Sequence, residues 1–450
     1  MILVLNPMGI SYRGSQKRYW VGAGSRWAFS MDRPAGSHGS YCPAPRDLMF
    51  LSQWLKNKGH DTKMMDACAM SYTEYEQMFA DIDKLNPEKI IIDITTPQAD
   101  ISMEVARKLS EKYEIILVGS FMYLLHEKGI VIDWAHTISG GYEYGMDEYF
   151  RTGNPDVVGA KMINRADFQD LELDFEQAIQ CGPYSSPFLW REPALKHKYS
   201  EKQLWVMSSK GCYGGCSFCL WVHTLYNNKV VYKEADTFIR QTEAQIKKYG
   251  PEYILFDDDA FNVHPKENAI EIANWLGTTG LPWSVMLSFD GKFDEETYRN
   301  FERNNCVGLR IGMESACQTA LDTNCPGKTV DQQLSLIDFV MEETELPLFV
   351  SVQHDMLGET EEGRAATDAL YEKLKPLYHS TGGRMNVQYP ISMAFPGTPM
   401  AKMLEDKGLW FDGNPLEIPW SQFMDGSTVN AEVLEMNRAY NKMLKDEKNT

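Results

Sequence analysis

Three of the nine cysteines in this 450-residue chain fall within eight positions, as Cys212, Cys216 and Cys219. The segment reads GCYGGCSFC over residues 211–219, and its glycines let the backbone fold tightly around a centre. Thiolates at CxxxCxxC spacing can wrap one compact metal site. Three ligands are one short of a closed tetrahedral set, and on a four-iron cluster that shortfall leaves one iron open for a substrate or cosubstrate. His223 lies four residues after Cys219, so a structural Cys3His zinc knuckle is the competing reading. Knuckles are usually self-contained small modules, whereas this loop follows a strand of a long α/β alternation. The other six cysteines are dispersed. An odd total, together with an N-terminus (MILVLNP) lacking a basic region and a cleavage pattern, argues against a disulfide framework. Cys317 and Cys325 read as buried thiols, with a catalytic thiol as the alternative.

The elements that must carry this loop form two alternations. Over residues 203–410, strands are expected at 204–208, 253–256, 283–288, 308–312, 348–353 and 385–389. Helices are expected at 235–248, 266–275, 295–304, 331–343, 361–374 and 399–407. Six such units predict a partial (β/α)6 barrel, with its chemistry at the carboxyl ends of the strands. Over residues 1–150, strands at 1–6, 61–66, 88–95 and 114–119 alternate with helices at 45–58, 72–85 and 101–112. That pattern predicts a doubly wound parallel sheet, with ligands bound beyond the strand ends near Met8, Thr95-Thr96 and Gly119-Ser120.

Three further stretches frame these units. Residues 151–202 read as a linker, and 411–450 as a tail with one helix at 431–444. Residues 8–44 form a long connection holding Tyr12, Tyr19, Trp20, Trp27, Phe29 and Tyr41. So many aromatics predict order, either as a ligand cover or as a packing insertion.

Composition narrows the partners. Lysines and arginines number 44 against 63 acidic residues, a net charge of −19, which disfavours nucleic acid. No apolar run approaches the roughly 18 residues that span a bilayer. A soluble, cytoplasmic protein with a small-molecule or peptide substrate is the expectation.

The cysteine loop and four later segments together resemble the radical S-adenosylmethionine superfamily. These segments are LFDDDAF (255–261), LRIGMES (309–315), HDMLGETEE (354–362) and YPISMAFPGTPM (389–400). The resemblance implies that Cys212, Cys216 and Cys219 hold a [4Fe–4S] cluster, with S-adenosylmethionine chelating its fourth iron. It also implies cofactor contacts for the acidic turn (Asp257, Asp258 and Asp259) and for Glu314 and Ser315, which could take the ammonium or ribose. Arg310 would face the carboxylate and Phe218 the adenine, and Ser351 and Gln353 are further candidates. Helix capping, ion pairing and plain packing are the alternatives for these side chains. No residue stands out as catalytic.

Ahead of the barrel, PRDLMFLSQWLKNKGHDTKMMDA (45–67), IDITT (92–96), LVGSF (117–121) and SGGYE (139–143) resemble the cobalamin-binding branch of that superfamily. The likeness implies that Thr95, Thr96, Gly119, Ser120 and Gly141 hold cobalamin. The DxHxxG motif is absent and His38 lies outside any such motif, which implies cobalamin without histidine on cobalt. The implied chemistry is reductive cleavage of S-adenosylmethionine to a 5′-deoxyadenosyl radical, with electrons from flavodoxin or ferredoxin. Methyl transfer from methylcobalamin to an unactivated carbon would follow. Ring closure or rearrangement without methyl transfer is one alternative, and a zinc-stabilised, non-catalytic binding protein is the other.

Overall fold

The computed structural model describes residues 1–21, 29–34, 42–182, 184, 202–424 and 430–448. Short runs rich in Val, Ile and Leu, such as KIIID and EIILV, favour strands buried on both faces. Among the described residues they build a six-stranded parallel sheet. Its strands are β1 (Ile2–Asn6), β5 (Thr62–Asp66), β6 (Lys89–Asp93), β7 (Glu114–Val118), β8 (His136–Gly140) and β9 (Asp156–Ala160), in the order β5-β1-β6-β7-β8-β9. Alternate residues serve two cores. Val4, Ile91 and Ile116 face the helix Arg46–Asn57 side, while Leu3, Leu5, Ile90, Ile92 and Leu117 face the other.

The second parallel sheet runs in chain order through β10 (Gln203–Val206), β13 (Tyr253–Phe256), β14 (Trp283–Leu287), β15 (Cys306–Glu314), β16 (Leu348–Val352) and β17 (Met385–Gln388). Among the described residues each strand pairs only with its neighbours in this order, so the barrel is open between β10 and β17. Helices Ala235–Tyr249, Lys266–Thr279, Glu295–Arg303, Val330–Glu343, Glu361–Leu374 and Pro399–Glu405 follow the strands. The α/β plan read from the sequence, a doubly wound sheet followed by a partial barrel, is the observed one.

Several details differ from the sequence expectations. The first sheet continues through β8 and β9, past residue 150; their HTISG and DVVGA sequences carry too much polarity and glycine to announce strands. Residues 165–181 are not a bare connector. Helices Arg165–Gln169 and Phe175–Cys181 dock there, with Phe168 stacked on Phe50 at 5.5 Å. The aromatic connection holds β2 (Gly9–Arg13), β3 (Gln16–Val21) and β4 (Phe29–Met31), an antiparallel meander turning at Gly14-Ser15. Trp20 packs inside it, while Trp27, His38 and Tyr41 lie outside the described residues.

The C-terminal region is also more than a tail. A short helix, Trp420–Phe423, packs on the first sheet's core, and helix Ala431–Lys448 packs against the barrel. Among the described residues no helix is long and apolar enough to cross a membrane.

Candidate functional site

The cysteine loop leaves the carboxyl end of β10 through a two-strand ladder, β11 (Ser209–Gly211) with β12 (Val230–Tyr232). The ladder closes the loop at its base. Gly211 has φ +88°, and a Cβ there would collide with the Lys229 carbonyl, so this entry accepts only glycine. A Cβ on Gly214 would lie 3.4 Å from Cys212 Sγ and 3.7 Å from Cys216 Sγ, which places both sulfurs beside that glycine. Ser217 fastens the loop to the barrel. Its N–H donates to Asn324 O at 2.7 Å, its hydroxyl to Asn324 Oδ1 at 2.6 Å, and its carbonyl accepts from Met400 N at 3.0 Å. Cys212, Cys216 and Cys219 are in no disulfide and partly exposed, whereas Cys42, Cys68, Cys306, Cys317 and Cys325 are buried.

The fourth ligand that a zinc knuckle would take from this segment is engaged elsewhere. His223 Nε2 pairs with the Cys216 carbonyl at 3.0 Å, so the ring serves the loop's own backbone. A four-iron cluster needs only the three thiolates, each on a different iron. Cys325 touches Cys216, and that thiol–thiol contact lowers the Cys216 pKa and raises that of Cys325. Cys317 sits under helix Glu361–Leu374, paired with Thr319 Oγ1 at 3.1 Å.

The lumen of the barrel carries a polar row. Gly312, Ser351 and Gln388 are aligned in register across β15, β16 and β17, each half-buried, with Arg310 one layer below. Ser351 Oγ accepts from Gln388 Nε2 at 2.8 Å, and the Arg310 guanidinium lies 5.2 Å from the Phe349 ring centre. Glu314 ends β15 at φ +71°, a conformation uncommon for a non-glycine residue and typical of functional sites. Gln353 Nε2 donates to its Oε2 at 2.6 Å. Lys328, which the sequence did not single out, places its ammonium 3.5 Å from Oε1 and 2.8 Å from the Gly312 carbonyl. Phe218 packs between two small apolar clusters, one holding Leu357 and Met400, the other Cys325 and Met356.

Two expected cofactor contacts are otherwise engaged. Asp258 is fully buried; its carboxylate accepts from Ser208 N at 2.7 Å, Ser209 N at 3.0 Å and the Ser208 hydroxyl. Burial pushes its pKa up to about 6, and its work is to brace the turn from β10 into β11. Ser315 is likewise committed, accepting from Cys317 N at 3.0 Å and meeting Thr367 Oγ1 at 3.1 Å. Asp259 accepts from Gly211 N at 2.7 Å, directly before the first cysteine. Asp257 directly follows β13, its N–H donating to the Val206 carbonyl at 2.9 Å and its Oδ1 lying 3.9 Å from the Arg46 guanidinium.

The two carboxyl edges face each other. Arg46, at the start of the first helix, is completely buried and donates to the Asp257 carbonyl, to Tyr226 Oη at 3.0 Å and to Asp259 Oδ1 at 3.1 Å. Burial works against its charge, but the surrounding acidic groups, Asp259 foremost, keep it firmly protonated. Lys210 bonds Glu143 Oε1 at 2.5 Å and lies 3.4 Å from Asp47. The π-helical turn Val222–Tyr226, just after the cysteines, packs on helix Ser120–Glu127 and β8. Arg46, Lys210 and Glu143 escaped sequence reading because each partner lies more than 60 residues away.

On the first sheet's edge, Thr96 N donates to Ser120 Oγ and the two hydroxyls meet, both at 3.2 Å. Thr95 is buried beside them. Gly119 (φ +111°) admits no Cβ, which would strike the Asp93 carboxylate, and a Cβ on Gly141 would strike the Lys161 carbonyl. Both glycines thus answer a demand of the sheet's own packing, beyond any close approach of a ligand.

No family model matches the sequence. Over 235 residues the chain is 23% identical to bacteriochlorophyllide d C-12(1)-methyltransferase of Chlorobaculum tepidum, a match covering 51% of this chain and 48% of that protein. It therefore spans about half the length of this curated relative. Among solved structures, the radical S-adenosylmethionine methyltransferase TsrM from Kitasatospora setae superposes with a TM-score of 0.57 at 16% identity. That superposition covers 90% of this chain and 76% of TsrM, which was solved with tryptophan substrate and an S-adenosylmethionine analogue. OxsB, a cobalamin-dependent S-adenosylmethionine radical enzyme solved with aqua-cobalamin and S-adenosylmethionine, gives 0.62 at 13% identity, over 90% of this chain and 60% of OxsB. A doubly wound sheet, a three-cysteine loop at the first strand of an open barrel and these superpositions agree: the chain has the fold of the cobalamin-dependent radical S-adenosylmethionine enzymes.

Proposed function

We propose that the chain is a cobalamin-dependent radical S-adenosylmethionine enzyme that methylates an unactivated carbon of a small molecule or peptide. The observation that carries this reading is the docking of the cysteine loop, through Arg46 and Lys210, against the carboxyl edge of the first sheet. That contact brings two ligand-binding edges to one interface. Cys212, Cys216 and Cys219 hold a [4Fe–4S] cluster. Glu314, held by Gln353 and Lys328, faces the cosubstrate with Asp257, Arg310 and Ser351, while Phe218 packs beside the adenine. Asp258 and Ser315 set the turns that present these groups. Thr95, Thr96, Gly119, Ser120 and Gly141 form the cobalamin edge, with no histidine assigned to cobalt.

When bound, the cluster supplies the electron that cleaves S-adenosylmethionine, and cobalamin supplies a methyl carrier. A low-potential donor such as flavodoxin or ferredoxin feeds the electron. The barrel lumen, lined by paired polar groups, orients the reacting carbon and excludes water. Three partly exposed thiols outside any disulfide suit a reducing, cytoplasmic setting. The methyltransferase relative supports methyl transfer.

The test is anaerobic reconstitution with iron, sulfide and cobalamin, followed by turnover with S-adenosylmethionine carrying a deuterated methyl group. Labelled product is expected, and 5′-deoxyadenosine formation should vanish when Cys212, Cys216 or Cys219 is changed to Ala. Unlabelled product would replace methylation with cyclisation or rearrangement. A protein with one zinc and no iron would end the enzymatic reading.

A further inference from the structure

Gln98 closes the 3-10 turn Thr96–Gln98 that follows β6, on the same edge as Thr95 and Thr96. Its side chain is 1% exposed, and neither its Oε1 nor its Nε2 has a hydrogen-bond partner among the described residues. Its backbone is ordinary, with N–H donating to Thr95 O at 3.2 Å. Folded interiors rarely leave a carboxamide with both halves unpaired, because each orphaned half costs the protein its solvation. The neighbouring polar groups do not have this problem, since Thr96 and Ser120 satisfy each other. A second orphan lies one strand away: Asn6, which ends β1, donates to Asp66 but leaves its own Oδ1 unpaired among the described residues.

The turn is covered from a distant part of the chain. Helix Trp420–Phe423 packs against it, fixed by Ser421, whose N–H and hydroxyl donate to Asp100 at 3.0 and 2.6 Å. An apolar side chain would have suited such a covered position. A glutamine there, unpaired at both ends, points to a guest that both donates and accepts. A phosphate only accepts, whereas a primary carboxamide offers one N–H and one C=O in the same plane and matches glutamine in a cyclic pair. The rim of the corrin ring carries such carboxamides.

We propose that Gln98 is a cobalamin-binding residue, pairing its side-chain amide with a peripheral carboxamide of the corrin. This rests on the cobalamin reading above and adds to it a residue on the edge that also holds Thr95 and Thr96.

The test measures equilibrium binding of hydroxocobalamin to the full chain by absorbance after anaerobic ultrafiltration, for the parent and for Gln98→Leu and Gln98→Met. The urea midpoint of each cobalamin-free protein is measured beside it. Affinity is expected to fall roughly 10- to 100-fold in both variants, the loss of a buried hydrogen-bonded pair. Their cobalamin-free midpoints are expected to equal or exceed the parent's, because an unpaired amide has gone. Binding within twofold of the parent overturns the proposal while leaving the cobalamin reading intact, and so does a clear loss of cobalamin-free stability, which makes Gln98 a structural residue. A parent that takes up no cobalamin overturns both.

Discussion

Replacing Arg46 with Met tests whether the first sheet holds the cysteine loop in place. The guanidinium, fully buried, serves three acceptors on the barrel side: the Asp257 carbonyl, Tyr226 Oη and Asp259 Oδ1. Methionine keeps much of the volume and none of the donors. Removing one partner of a buried ion pair costs about 3–5 kcal/mol, since the other charge stays buried and uncompensated. At ~1.4 kcal/mol per tenfold, that is a factor on the order of 100 to 4000 in the folding equilibrium. Asp259 also accepts from Gly211 N, so the damage reaches the residue before Cys212.

The assay is urea denaturation of the iron-free protein, with iron and sulfide content measured after reconstitution. Arg46→Met should lower the midpoint and the iron content together. Arg46→Lys should fall between, because an ammonium keeps the charge but cannot serve three separated acceptors. Adding Asp259→Asn to Arg46→Met should recover a large part of the stability by removing the stranded charge. An unchanged midpoint in Arg46→Met, or additive losses in the double variant, would refute the ion pair as the cause.

Two other outcomes follow from the same geometry. Burial raises the Asp258 pKa from 3.8 to about 6, so the folded state holds this proton more tightly than the unfolded chain. Its contribution is full below about pH 4 and is lost as pH rises through 6, roughly 3 kcal/mol at 1.36 per unit. Asp258→Asn, which keeps an acceptor for Ser208 and Ser209, should gain stability relative to the parent across pH 4–6 in urea titrations; parallel curves would show that Asp258 does not titrate there. Gly119→Ala should lower the unfolding free energy from urea titration by roughly 2–6 kcal/mol, from ~1–3 for φ +111° and ~1–3 for crowding against Asp93 and Ile94. A midpoint within experimental error of the parent would show that the β6–β7 edge yields to a methyl group.

Short apolar runs alternating with amphipathic stretches made the strand and helix order legible, most plainly in KIIID and EIILV, because parallel strands buried on both faces need near-continuous Val, Ile and Leu runs. The cysteine spacing made the candidate cluster legible, since all three ligands lie within one turn-rich loop. Those signals are local. What the sequence hid is non-local or runs against composition: β8 and β9 carry polar residues and glycine yet are held by their neighbours, and β2–β4 pair inside what looked like a connection.

The fate of individual polar side chains was decided only in three dimensions. Asp257, Asp258 and Asp259 are adjacent and chemically alike, yet Asp258 braces a turn while Asp257 and Asp259 meet Arg46 and Asp259 alone also holds Gly211 N. A carboxylate's role depends on which donors the fold brings within about 3 Å, and here those donors come from positions up to 213 residues away. Spacing along the chain established that a three-thiol centre could form at the mouth of a barrel; packing two carboxyl edges together determined which neighbours it would have.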